Sequence, residues 1–440
     1  MPANKNPTFC SAEPSWANAC VGNNGSPGYV EYAAGFSTAA NVLIDQVISG
    51  RGLKLSVDEL IYPVCFNMRH SVELRLKGAI EELTHVASKK GQTLRFDLTG
   101  SHDIGNIWRY FKHQSEMLDS RYITLNIQIN STICDIAEVD ATGQVFRYPL
   151  GHQNDKHLTD VSAINFFRLK EKFIELEGCL DVLHRLNVWL REEYSQDTFT
   201  ASFSRPMLYR LARELPPQQS WNSEEFPIAK KALMVKYGVS NRELSRAIEK
   251  IKNHYFLAAL IGEPLPIKGV EPDQIILFLD LWAPQNPHVK ITEESESIFD
   301  YFTIGTEELI RDIVERANSE TIVWDTFSKI LTPESLAGLH TLFYFARDRT
   351  YVERYEKIYL QELTESTAYF EWGGDNVKNS FMHVFRKSNA MDNILMSLFA
   401  LGHNAFAEEI VSRYSVDQAF HWLNDARNGH LFSYPDFAMY

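Results

Sequence analysis

The densest chemistry in the chain lies between Tyr62 and Lys77, in the run YPVCFNMRHSVELRLK. On a helix, His70, Glu73 and Lys77 fall at i, i+3 and i+7, and Arg69 and Glu73 at i, i+4. An arginine, a histidine, a carboxylate and a lysine therefore crowd one side. Two accounts fit that face. One is an internal salt-bridge ladder with Glu73 between Arg69 and Lys77, at about 0.2–0.5 kcal/mol per exposed pair. The other is phosphodiester chemistry: a histidine moves a proton near neutral pH, and cations stabilise a pentavalent phosphate.

Two further groups extend the list. His102-Asp103 reads as a helix start with Asp103 at the positive end of the dipole, or as a second histidine joined to the His70 face. Phe146-Arg147-Tyr148-Pro149 reads as an anchored loop. Arg147 would then pair with a carboxylate, Glu73 or Asp103, or serve as a phosphate ligand.

The elements that must position these residues are helical. Residues 1–35 are rich in Asn, Gly, Pro, Ser and Ala and read as an irregular segment. Helical periodicity begins near Phe36. Ser56, with Glu59 three residues on, predicts the start of a long helix to about Lys90, broken or kinked near Pro63. Another helix follows His102-Asp103. Residues 123–139 alternate like a strand in ITLNIQIN, yet Leu125, Ile129, Ile133 and Ile136 also fit a helix face. A strong apolar stripe runs from Ser162 to Tyr194. Residues 196–225 read as a connection around a short helix. Helical patterns then recur over 226–237, 240–262, 271–282, 305–318, 333–346, 350–366 and 376–425. The expected architecture is all-α, with a helical domain over 36–195, a connecting region over 196–225 and a helical C-terminal domain over 226–440.

The ordered set YPVCFNMRHSVELRLKGAIEEL, HDIGNIW and FRYPL resembles bacterial helical proteins of the HEPN type (the higher-eukaryote and prokaryote nucleotide-binding domain). The resemblance covers roughly a third of the chain and favours a helix for 124–138. It implies a metal-independent ribonuclease acting as a dimer, in toxin–antitoxin, abortive-infection or antiviral defence systems. The family signature is Arg, four to six residues, then His. Arg95 to His102 and Arg147 to His152 both meet it, which makes Arg95, Arg147 and His152 candidate substrate-binding residues. The catalytic set would be Arg69, His70, Glu73, Lys77, His102 and Asp103. RNA or a nucleotide, a second copy of the chain and a defence-system partner protein are the implied partners, with no cofactor and no metal.

Composition narrows this further. The 440 residues carry a formal net charge of −14, which argues against a protein that coats nucleic acid through a strong positive field. Residues 69–121 differ locally, with nine Lys+Arg, seven Asp+Glu and four of the 14 histidines. The acidity thus leaves room for one small basic site. Five widely spaced cysteines with no CxxC argue against a zinc ribbon; Cys65, Cys134 and Cys179 sit in apolar runs and read as buried thiols. No signal peptide or 18-residue apolar window is apparent, so the expectation is a cytoplasmic protein with no membrane segment.

Two other readings compete. His70, His102-Asp103 and Asp135 follow the order H…HD…D of all-helical, metal-dependent HD phosphohydrolases. Alternatively the chain is a catalytically inactive scaffold or sensor that binds a nucleotide or partner.

Overall fold

The computed structural model describes residues 6–22, 24–151, 156–287, 318–345, 351–432 and 434–440. Among these the protein is all-α, with no strand and a lone antiparallel bridge between Leu150 and Lys156. The chain divides into two compact units, 1–192 and 193–440.

In the first unit, α1 (Tyr29–Ser49) packs along α2 (Val57–Lys89). Helix α1 opens earlier than its periodicity suggests, so residues 29–35 are helical rather than irregular. The reason is a cap: Gly28 N–H donates to Glu31 Oε2 at 2.7 Å, satisfying one of the donors a helix start leaves open. Close approach of the two helices depends on Gly78, where an added Cβ would lie 3.2 Å from Tyr29 Cβ.

Helix α2 starts where Ser56 accepts the Glu59 N–H, with Asp58 and Glu59 facing the positive end of the dipole. It runs through Pro63 without a break. Val64, Met68, Val72, Leu76, Ile80, Leu83 and Ala87 recur at steps of three or four and are buried. Each such aliphatic burial contributes about 1.5–3 kcal/mol for the larger side chains. Apolar packing thus holds one side of the helix, while Arg69, Glu73 and Lys77 form a buried ionic set on it.

Helix α3 (Ile104–Leu118) and α4 (Tyr122–Asp140) pair with each other, and α3 also packs on α2. In α4 the buried positions Tyr122, Leu125, Asn126, Ile129, Ile133, Ile136 and Asp140 follow the helical period. The alternation of ITLNIQIN is incidental to that period. Helix α5 (Phe166–Tyr194) is tied to its neighbours by polar contacts: Asn41 to Glu177 at 2.9 Å, Arg191 to Glu82 at 2.8 Å and Tyr122 Oη to Asn187 at 2.7 Å. Cys65 is buried, but Cys179 is only partly so and Cys134 is exposed, contrary to the expectation from their apolar surroundings. Cys134 lies off the buried stripe of α4, one residue past Ile133.

In the second unit, α6 (Arg205–Glu214), α7 (Glu225–Tyr237), α8 (Asn241–Lys252) and α9 (Tyr255–Leu260) share a core that includes Leu208, Leu211, Leu244 and Ile251. The stretch read as a connection thus contributes α6 to that core. Residues 240–262, read as one helix, are two, because the His254 imidazole accepts the Leu257 N–H at 3.2 Å and caps α9. A second core gathers α10 (Pro272–Trp282), α11 (Pro333–Phe345), α12 (Arg354–Trp372), α13 (Gly374–Phe385), α14 (Ala390–Ala400), α15 (Asn404–Tyr414) and α16 (Leu423–Arg427) around Phe278, Phe343, Phe381 and Ile394. The helix expected over 305–318 falls almost entirely outside the described residues. No described helix is long and apolar enough to cross a membrane.

Candidate active site

Glu73 is the centre of the ionic face of α2, and its side chain is 3% exposed. Two cations flank it along the same helix: Arg69, whose Nη1 donates to Oε2, and Lys77, whose Nζ lies 2.8 Å from Oε1. Across a loop, His102 Nδ1 meets Oε1 at 3.0 Å. His70 Nδ1 stands 3.9 Å from Oε2. Burial alone would raise the Glu73 pKa. The neighbouring His70, Lys77 and Arg69 outweigh that and hold the carboxyl well below the usual carboxylate range. Glu73 is therefore a fixed negative charge.

Arg69 has a partner on each of its three guanidinium nitrogens. Nε donates to Asp140 O at 3.0 Å, Nη1 to Glu73, and Nη2 to Ala141 O at 2.7 Å and to His102 O at 2.5 Å. It is 3% exposed. The planar fork thus joins α2, the C-terminal end of α4 and the loop that carries His102. Ile104 N–H adds a bond to Ala141 O at 2.9 Å. Gly143, with φ +78°, completes the pocket: a Cβ there would sit 3.1 Å from Arg69 Nη1.

His102 is accordingly held at both ends, its ring by Glu73 and its carbonyl by Arg69. Its side chain is nevertheless 62% exposed. With a carboxylate against Nδ1, the tautomer that donates from Nδ1 leaves Nε2 as an acceptor. This is the arrangement of an oriented general base. His70 is partly buried between two rings, with Phe36 edge-on at 4.5 Å and Phe66 stacked at 5.7 Å between centroids.

The other candidates lie elsewhere. Asp103 caps α3 by accepting the Asn106 N–H at 2.9 Å, so its carboxylate has a structural task. Arg147 does not pair with Glu73 or Asp103. Its guanidinium lies 5.0 Å over Phe66 and 6.0 Å from Tyr148, and the residue is exposed. Arg95 lines a separate groove with Thr84, His85 and Phe96, and His152 falls outside the described residues. The H…HD…D set is not assembled: Asp103 serves the cap and Asp135 is exposed on α4. Among the described residues no three His, Cys, Asp or Glu side chains are grouped so as to hold a metal ion.

Phe36, Phe66 and Gly143 were not singled out by sequence reasoning. Phe66 carries a usable signal, since it precedes His70 by four residues on one helix. Phe36 and Gly143 reach the site only through tertiary packing.

No family model, no curated protein and no solved structure matches this chain.

Proposed function

We propose that the first unit is a HEPN-like domain that cleaves RNA without a metal, in a bacterial defence or toxin-type protein. The observation that supports it best is an exposed imidazole, His102, oriented by a buried carboxylate, Glu73, that its cationic neighbours hold below the usual carboxylate range. In the proposed reaction His102 Nε2 removes the proton from a ribose 2′-hydroxyl. The oxygen attacks the adjacent phosphorus, the P–O5′ bond breaks, and an acid protonates the departing 5′-oxygen. His70 is the nearest second imidazole for that role. The products are a 2′,3′-cyclic phosphate and a 5′-hydroxyl, with no external reactant consumed.

Arg69 and Lys77 are positioning residues in this scheme, because both are buried against Glu73. Arg147, exposed and stacked on Phe66, is the cation assigned to the phosphate. Two copies of the chain would bring two such sets to one RNA, which suits a net-acidic protein that binds a polyanion at a small site. A cytoplasmic location and a defence-system partner belong to the same proposal.

The complete mutual pairing of Arg69, Glu73 and Lys77 also favours a second reading, a nucleotide- or partner-binding scaffold in which the ionic centre is purely structural. The two readings part on one assay. Purified protein is incubated in EDTA with an RNA and with the same oligonucleotide in 2′-deoxy form. The proposal expects cleavage of the RNA alone, with 2′,3′-cyclic phosphate ends. Cleavage of neither supports the scaffold, and cleavage of both contradicts attack by the 2′-hydroxyl.

A further inference from the structure

A groove of about 790 Å³ opens beside the candidate site, between the first turns of α2 and the segments 145–149 and 157–164. Its volume is within the roughly 300–1,000 Å³ range of small-molecule sites. Tyr62 and Tyr148 line it and are both exposed, giving two aromatic faces at its mouth. Arg147 lines it as well, and no carboxylate partner of its guanidinium is found among the described residues. Stacking on Phe66 keeps that guanidinium in place without neutralising it. His157 lines it too. Asp58 adds one carboxylate.

These groups match the parts of one nucleotide. A base stacks on a tyrosine face, a phosphate meets the unneutralised arginine, and a carboxylate awaits polar base or sugar atoms. The groove is also joined to the candidate site. Phe66 carries Arg147 on one side and stacks on His70 at 5.7 Å.

We infer that this groove binds a nucleotide of single-stranded RNA next to the linkage cleaved with His102 as base, with Arg147 on the phosphate and Tyr62 or Tyr148 on the base. The inference rests on the RNA reading of the previous section but concerns binding, so it can fail independently of cleavage.

The test is the affinity of the full chain for a fluorescein-labelled single-stranded RNA, measured by anisotropy at fixed salt. The variants are Arg147→Ala, Arg147→Lys and Tyr148→Ala, each checked for wild-type circular dichroism. About tenfold weaker binding is expected for Arg147→Ala and Tyr148→Ala, with Arg147→Lys between them and the wild type. Wild-type affinity in both Arg147→Ala and Tyr148→Ala overturns the groove and leaves the cleavage proposal standing. Loss of binding in those variants, from a wild type that cleaves nothing, upholds the groove and removes the nuclease reading. A wild type that binds no RNA overturns both.

Discussion

His102 Nδ1 lies 3.0 Å from Oε1 of Glu73, a carboxylate on α2 and 29 residues earlier in the chain. That contact joins the most exposed histidine of the cluster to its most buried acid. It separates the roles within the site: α2 supplies the fixed charge, and the loop before α3 supplies the group that can move a proton.

Neutralising the buried charge should be costly. Glu73→Gln leaves Arg69 and Lys77 buried without their counter-ion, and loss of one partner of a buried pair costs about 3–5 kcal/mol. Urea unfolding at pH 7 should show a loss of that order. A change below about 1 kcal/mol would mean that the centre relaxes into solvent.

The same residue sets an acid limb. Its folded pKa is depressed, so the unfolded chain takes up the proton first and stability rises with pH through this region. Its contribution is complete above the unfolded carboxyl value of about 4.3. It then falls by about 1.4 kcal/mol per pH unit below that, until the folded value is passed. The stability gap between wild type and Glu73→Gln should therefore narrow in acid, as urea midpoints at pH 7, 4 and 3 would reveal. A gap independent of pH would contradict the charged centre.

The helical class and the ionic face of α2 were legible because both are local. Leu76 and Ile80 recur at helical steps, and Arg69, Glu73 and Lys77 are spaced four residues apart. What the sequence could not show was how distant segments close on that face. Nothing local indicates that Arg69 grips the carbonyls of Asp140 and Ala141, since every residue has a carbonyl. Arg147 looked equally suited to a carboxylate; its seat on Phe66 depends on where the loop after α4 returns. The partnership of Arg205 with Glu353 in the second unit is hidden for the same reason, the two being 148 positions apart.

Gly143→Ala should damage the site without touching a charged residue. Its φ of +78° disfavours an L side chain by about 1–2 kcal/mol, and the new Cβ would crowd Arg69 Nη1. Lower thermal stability together with reduced RNA cleavage is expected. Unchanged melting and activity would show that Arg69 does not need this space.

The second unit has its own ionic centre. Arg205, 1% exposed, holds Glu353 at 2.7 Å and the hydroxyls of Tyr209 and Tyr440 at 2.8 and 2.7 Å. His254 stands 3.1 Å from the same carboxylate. Burial would raise the Glu353 pKa, but Arg205 and His254 hold it well below the ordinary value. Glu353→Gln should therefore destabilise this unit by about 3–5 kcal/mol. Calorimetry of the full chain measures it, and a melting profile identical to wild type would refute the assignment.

The central claim is that His102, oriented by Glu73, moves the proton in RNA cleavage. It is tested most directly by comparing the cleavage rate of wild type and His102→Ala on one RNA in EDTA, with circular dichroism confirming that both are folded. The account predicts a folded variant slower by about 10²–10⁴-fold, the usual contribution of a general base. A folded His102→Ala that cleaves at the wild-type rate would contradict it.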